Sequence, residues 1–496
     1  MASLDVPLQV QTKLRVFLIP SFMTSHILAM TDLARLLAIR PNVEPTIIIT
    51  PANATLIQPT LDLLADMGRP VQLLIHPFPS VGLPPGIENL ATAPSSDEWR
   101  IHKAQDMCQP VHESILRAHR PDAIIADVAF WWVTDIAPEL SIPRITFYPP
   151  GVFPQVVLTN LFKIRSDIIS QLDVTSAERV NVPDLPGPEI NIPVSELPTF
   201  LVEDNFLADD WMKITMAQLN GFGVVVNTFY DLEPEYCDLY RKDHAKRAYF
   251  VGPVAYSSGG DDQRIVKRGG NGHTACLDWL DGKEKGSVVY VCFGSWCHFT
   301  KAQLCELAFG LEESGKNFLW VVRGGEDEEF GWIPERWEER VRSRGLIIRG
   351  WAPQVAILQH KSVGAFMTHC GWNSLLEAAS CGVPVLTWPL VFDQFINERL
   401  FVDVKGWGAR VWEGGNRGTK LGEKNVVPRA AIAGAVSKFM EPGGNGDKMR
   451  NKAQEMAAMA KAAMQEGGSS SKDLNRLIDD LIAEKGKCNA SLENGK

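Results

Sequence analysis

Between Trp351 and Gln394 the chain reads WAPQVAILQHKSVGAFMTHCGWNSLLEAASCGVPVLTWPLVFDQ, and no other stretch limits its possible folds so tightly. Val363-Gly-Ala-Phe-Met367 is an apolar run of strand length, His369-Cys-Gly-Trp-Asn373 is a glycine-containing turn, and a helix opens at Asn373-Ser374. Cys381-Gly382 follows, then a second apolar strand from Val383 to Leu386. Strand, turn, helix and strand in that order make one unit of a parallel sheet. Where a helix starts at the carboxyl end of such a strand, unpaired backbone N–H groups and the positive end of the helix dipole favour an anion, and a diphosphate would fit. The same residues have a plainer reading, because Ser374-Leu-Leu-Glu377 is a capping box whose serine and glutamate would satisfy the helix's own N–H groups.

The rest of the chain repeats this alternation. Apolar runs at Val16 to Ile19, Thr46 to Thr50, Val71 to Ile75, Ala123 to Ala126 and Arg144 to Phe147 are separated by helical patterns such as Trp99 to Arg117. Ser287 to Phe293, Phe318 to Val322 and Leu346 to Ile348 continue the plan in the second half. The pattern is that of parallel sheets with helices on both faces, an α/β chain of two doubly wound domains. Residues 255–272, AYSSGGDDQRIVKRGGNG, have no apolar period, which divides the chain into a domain at 1–252, a linker at 253–272 and a domain at 273–468. A helix at 469–487 and a flexible tail at 488–496 complete the expectation.

Composition excludes several classes of function. A net charge of −10 argues against nucleic acid and anionic membrane surfaces as partners, since both want a basic face. No apolar run reaches the roughly 18 residues of a spanning helix, and Met1 to Leu14 lacks the apolar core of a signal peptide, so no integral membrane association and a cytoplasmic location are expected. The nine cysteines are odd in number and lack paired CxxC spacing, which indicates neither a disulfide framework nor a zinc site.

Two residues stand where catalysts of open α/β sheets stand, at the carboxyl ends of strands. His26 lies at the crossing from the strand Val16-Phe-Leu-Ile19, through the loop Pro20-Ser-Phe-Met-Thr-Ser25, into a helix running to about Ile39. It is a candidate general base, with polar surface as the alternative. Asp127 closes the run Pro121-Asp-Ala-Ile-Ile-Ala-Asp127 on the same edge, where a carboxylate can orient an imidazole and stabilise its protonated form. Asp127 can also cap the following helix, and the two roles are compatible. Ser295, after Gly294, offers a hydroxyl at a strand end or is simply part of a tight turn. Phe22, Phe130, Trp131 and Phe200 are candidates to line a pocket for a flat or terpenoid molecule, against the alternative that such rings are core.

Taken together, Trp351, Gln354, His369, Trp372, Asn373, Ser374, Glu377, Trp388, Asp393 and Gln394 resemble, in order and spacing, the signature box of plant small-molecule UDP-sugar glycosyltransferases. The likeness extends from Val16 to about Leu481 through scattered motifs. It implies a GT-B type fold, two doubly wound parallel-sheet domains facing a cleft, with acceptor bound by 1–252, UDP-sugar by 273–468, and the closing helix crossing back to the first domain. It implies inverting O-glucosyl transfer to a small lipophilic plant metabolite, phenol, flavonoid, terpenoid or steroid, by a monomer. In that scheme His26 is the base and Asp127 its support. Trp351, beside Ala352, stacks on uracil, and Gln354 and Glu377 hold the ribose. His369, Asn373, Ser374 and Ser295 meet the diphosphate, and Trp372 helps to shape the UDP-sugar pocket. Trp388 flanks the sugar, and Asp393 and Gln394 bind its hydroxyls.

Glutamine at the end of the box accompanies glucose in relatives, making UDP-glucose the expected donor substrate. No D-x-D triplet occurs, and no metal or other cofactor is expected. Many relatives read Gly-His with a proline three residues on, whereas this chain has Ser25-His26 and Ala29. A C-glycosyltransferase of the same family, a UDP-sugar epimerase and a catalytically silent nucleotide-sugar-binding protein are the rival readings.

Overall fold

The protein is described by a computed structural model. It covers residues 13–171, 178–256, 271–295, 299–322, 331–420 and 424–494, so most of the expected linker lies outside the described residues. The chain forms two compact units, one of Met1–Phe147, Asn220–Val224 and Asn475–Lys496, the other of Tyr148–Leu219 and Val225–Leu474.

The first sheet contains β1 (Leu14–Ile19), β2 (Val43–Ile49), β3 (Gln72–Ile75), β4 (Ala123–Asp127) and β5 (Arg144–Tyr148). A short antiparallel pair, β6 (Arg179–Asn181) and β7 (Asn191–Pro193), stands apart from it, and β8 (Gly223–Val226) and β9 (Ala248–Phe250) complete the sheet in the order 3-2-1-4-5-8-9. Parallel pairing aligns Val16 with Ala123 and Ile19 with Ala126, which brings the carboxyl ends of β1 and β4 side by side. Strand order reverses there, the position at which open α/β sheets bind ligands. Every residue of β4 and β5 is buried, the near-continuous apolar run that a parallel strand covered on both faces requires.

The second sheet lies wholly in the second unit. It comprises β10 (Val288–Cys292), β11 (Asn317–Val322), β12 (Gly345–Arg349), β13 (Val363–Thr368), β14 (Val385–Thr387) and β15 (Gly408–Arg410), in the order 12-11-10-13-14-15 with parallel pairing throughout. Its reversal falls between β10 and β13, where Cys292 sits opposite Thr368. Val289, Val291, Trp320, Ala365, Met367 and Leu386 point into one apolar core with Leu307, Leu311, Ile432 and Val436 from the covering helices. Gly382, with φ at +69°, ends the helix Trp372–Cys381 in the left-handed conformation that glycine adopts without strain.

The closing helix spans Ser469–Asn494, so residues read from sequence as a tail after 487 continue it as far as Asn494. No proline or glycine between Lys487 and Asn494 interrupts it, and the next residue in sequence is Gly495. Early in the helix Asp473 accepts from Phe250 N at 2.8 Å, and further on Lys485 pairs with Asp122 at 2.8 Å. Among the described residues no helix is long and apolar enough to cross a membrane.

Candidate active site

In the first unit the chain enters the helix Thr24–Ala38 directly after β1, with His26 in its first turn. The loop before it is held by Gln105, whose Oε1 accepts from Phe22 N at 2.8 Å, and by Thr24, which donates to Asn89 Oδ1 at 3.0 Å. Ala29, three residues after His26, is buried within the helix. His26 Nδ1 lies 2.8 Å from Asp127 Oδ2, and the carboxylate has no solvent exposure. A buried carboxylate accepts, so Nδ1 carries the proton and Nε2 the lone pair, the tautomer a general base needs. The other oxygen, Oδ1, accepts from Ala129 N at 3.4 Å, so Asp127 caps the short helix after β4 while it orients His26.

Asp127 is not alone in the sheet. Arg144 on β5 is buried and donates to the Thr146 hydroxyl. Burial pulls its guanidinium down to about 9, and Asp127 and Asp135 oppose the shift. It therefore stays positive at neutral pH, a buried cation on the strand that pairs with β4.

In the second unit, the carboxyl ends of β10, β13 and β14 gather most of the signature residues. Gly294 follows β10 with φ at +73°, and a Cβ there would meet the His369 ring at 2.6 Å, so glycine is what lets the imidazole sit against this turn beside Ser295. His369 is buried, which pulls its pKa down to about 4 and leaves it a neutral donor and acceptor at pH 7. The helix begins at Trp372, one residue before the expected start, with Gly371 as its N-cap and no side-chain cap. The capping-box reading is thereby corrected. Ser374 is the third helical residue, and its Oγ accepts from Gln354 Nε2 at 3.0 Å, while Glu377 Oε2 accepts from the same nitrogen at 2.7 Å. Tyr290 donates to Gln354 Oε1 at 3.3 Å, which fixes the amide's orientation.

Trp351 follows β12 with 66% of its surface exposed, a large apolar area for a ring beside the buried Ala352. Trp388 packs edge-on against Phe293 and Phe299 at 5.7 and 5.6 Å and is mostly buried. Gln394 Oε1 accepts from Leu390 N at 2.9 Å and Val391 N at 3.1 Å. Both lone pairs of that oxygen are committed, so the amide has no acceptor left for a ligand. Asp393 Oδ2 accepts from Asn397 at 2.8 Å.

Asn227, just past β8, was not a candidate from sequence. Its Oδ1 accepts from Val254 N at 3.0 Å, its Nδ2 donates to Asn373 Oδ1 at 3.0 Å, and its carbonyl accepts from Trp372 Nε1 at 2.7 Å. A backbone N–H can only donate, so the chain of bonds assigns both amides, and Asn373 Nδ2 faces away from Asn227. The available signal was a polar residue closing an apolar strand, the same signal that marks Asp127.

The four aromatic candidates divide. Phe22, Phe130 and Trp131 belong to the first unit and Phe200 to the second. Phe130 is fully buried, its ring enclosed by Phe22, His112 and Trp132. Phe22 is buried against Phe78 and Phe130, and Trp131 is half-buried. Phe200 stacks on Trp211 at 5.2 Å and lies 5.8 Å from Phe392.

Residues 278–413 match the family model described as UDP-glucoronosyl and UDP-glucosyl transferase. The scopoletin glucosyltransferase of Nicotiana tabacum is 39% identical over 476 residues, covering 95% of this chain and 98% of that one. UDP-glucose flavonoid 3-O-glucosyltransferase 7 of Fragaria ananassa is 37% identical, covering 95% and 96% respectively. Among solved structures, Glycyrrhiza uralensis UGT73P12 complexed with glycyrrhetinic acid 3-O-monoglucuronide superposes with a TM-score of 0.88 at 35% identity, covering 98% of this chain and 99% of that one.

Proposed function

The chain belongs to the plant UDP-glycosyltransferases and has their GT-B type fold, and from that premise we propose that it transfers glucose from UDP-glucose, with inversion, to a hydroxyl of a small lipophilic metabolite. The observation that carries the reading is the His26–Asp127 pair at 2.8 Å, with Nε2 left as the basic nitrogen. The acceptor O–H loses its proton to Nε2, and its oxygen attacks the anomeric carbon as the bond to UDP breaks. The product is a β-glucoside. Asp127 stabilises the imidazolium that forms.

The donor side follows from the second unit. Trp351 presents its open ring to uracil, and Gln354 with Glu377 holds the ribose. The helix start at Trp372, which no side chain caps, meets the diphosphate with Asn373, Ser374, His369 and Ser295. Asp393 accepts from sugar hydroxyls and Gln394 donates to them, a division of labour that the two bonds to Gln394 Oε1 support. Relatives named for a flavonoid and for scopoletin favour a phenolic acceptor.

The test is UDP release and glucoside formation from UDP-glucose with an aliphatic alcohol acceptor, where activation of the nucleophile is most needed. His26→Ala is expected to cut turnover by roughly 10² to 10⁴ while UDP binding persists, because the base is not a UDP contact. Retention of more than about a tenth of wild-type turnover would remove His26 from the role.

A further inference from the structure

The first unit holds a second constellation that glycosyl transfer does not use. His76 follows β3, Cys108 precedes the helix Gln109–His119, and His112 lies in that helix's first turn, four residues after the cysteine and on the same face. All three are buried, at 3, 0 and 1% exposure, and one ligand atom from each lies within 4.8 Å of the others. His76 Nε2 and His112 Nε2 face each other at 3.2 Å with the rings near perpendicular.

The hydrogen bonds define what these nitrogens are. His76 Nδ1 lies 3.0 Å from Pro77 O, which can only accept, so Nδ1 bears the proton and Nε2 the lone pair. That is how proteins aim an imidazole at a metal, through a carbonyl on its far side. In the uncharged pair His112 must then donate from Nε2. Its Nδ1 is left buried with no hydrogen-bond partner among the described residues. That nitrogen is where the His112 proton moves when Nε2 gives its lone pair to a metal.

We propose that His76, Cys108 and His112 bind a d10 transition-metal ion, Zn²⁺ or Cu⁺, and that its occupancy slows transfer. Two imidazole nitrogens sharing a tetrahedral zinc, with bonds of about 2.0–2.1 Å, stand roughly 3.3 Å apart, close to the separation already present. Cys108 Sγ now donates to Ala104 O at 3.2 Å and turns from that carbonyl to become the third ligand. Burial pushes this thiol up to about 12, so binding is what deprotonates it. The thiol proton leaves to solvent, the proton between the imidazoles moves from His112 Nε2 to its own Nδ1, and no group changes oxidation state. Two imidazoles and a thiolate select zinc or copper over the hard ions Mg²⁺ and Ca²⁺. The link to transfer runs through rings: His112 lies 5.1 Å from Phe130, Phe130 lies 6.2 Å from Phe22, and Phe22 belongs to the loop that leads into the helix carrying His26.

The paired-spacing rule overlooks this set because His76 is 32 residues from Cys108 in sequence.

The experiment titrates the full-length protein with Co²⁺ as a spectroscopic stand-in for Zn²⁺, then competes with Zn²⁺, with Mg²⁺, and with Cu⁺ under anaerobic conditions. One equivalent of Co²⁺ is expected to give a thiolate-to-cobalt charge-transfer band. Zn²⁺ or Cu⁺ should erase it and Mg²⁺ should not, and the stronger competitor identifies the ion. Cys108→Ser should lose the band, and His112→Gln should weaken binding at least tenfold. Zn²⁺ should slow wild-type turnover and spare Cys108→Ser, whose metal-free turnover stays at the wild-type level. No band in the wild-type protein, or a band that survives in Cys108→Ser, overturns the site. Binding that leaves wild-type turnover unchanged overturns the link to transfer. Because the band is read without any transfer, its failure is separate from failure of the glucosyltransferase reading.

Discussion

Asn227 is a positioning residue whose contribution can be worked from its hydrogen bonds. Its Oδ1 is held by Val254 N–H and its Nδ2 by Asn373 Oδ1, so Asn373 is obliged to turn its NH₂ the other way, where the proposed diphosphate lies. Asn227→Asp keeps the shape and the bond from Val254 but replaces the donor with an acceptor. Asn373 must then flip and present its oxygen to an anion. The loss is one charge-assisted hydrogen bond, about 1.5–3 kcal/mol, or roughly tenfold to a hundredfold in donor affinity.

The assay is the Michaelis constant for UDP-glucose together with calorimetric binding of UDP, run well below the melting temperature because burying a carboxylate also destabilises the fold. The constant should rise while kcat changes less. A through-space charge effect would produce the same rise, and a double-mutant cycle separates the two. Asn373→Ala removes the contact, and adding Asn227→Asp to it should cost little more. Full additivity of the two losses, or an unchanged constant in a folded Asn227→Asp protein, would refute the relay.

Glu377→Ala should raise the UDP-glucose Michaelis constant at least tenfold with little change in melting temperature, because Gly371 is the cap and Glu377 instead holds Gln354; a melting-temperature loss worth about 1 kcal/mol with an unchanged constant would restore the capping role. Glu398 is buried, and although burial pushes its pKa up, Arg417 and Arg410 outweigh that and hold it below 4.5. A carboxylate depressed in the fold contributes stability above its unfolded pKa and loses it as pH falls through the folded value. Glu398→Gln should therefore cost about 3–5 kcal/mol at pH 7, and the gap from wild type in chemical denaturation should narrow below about pH 4.5. With equal UDP-glucose and UDP-galactose, the wild-type enzyme should favour glucose roughly tenfold or more; equal use would remove the donor assignment.

The fold was readable because its strands are short, apolar throughout and separated by helices, a pattern that only a sheet covered on both faces produces. Val363 to Met367 and Ala123 to Asp127 were located to within a residue for this reason. β6 and β7 escaped notice because three-residue strands in a proline-rich stretch leave no period to detect. The closing helix extends further than expected because its final turns are polar and follow Gly486, and neither polarity nor one interior glycine, which costs about 1 kcal/mol, is enough to end a helix.

The site was legible to the extent that its chemistry is local. His26 and Asp127 were found separately, each from its place after a strand, and their pairing follows from the reversal of strand order between β1 and β4. Ser374 and Glu377 were ambiguous because the deciding facts, Gly371 as the cap and Gln354 as the partner, lie outside the four-residue motif that raised the question. A glutamine amide carries both an acceptor and a donor, yet the backbone of its own turn takes the acceptor of Gln394, and only the folded turn reveals that. Asn227 meets Asn373 across 146 residues of sequence, and His76 meets His112 across 36. Such pairs produce no periodicity and match no spacing rule. A residue type can advertise what it is able to do, but which of its hydrogen-bonding positions remain for a ligand depends on neighbours chosen by the fold. The sequence therefore identifies these groups more readily than it orients them, and orientation is what distinguishes a base from a buried histidine or a donor amide from an acceptor.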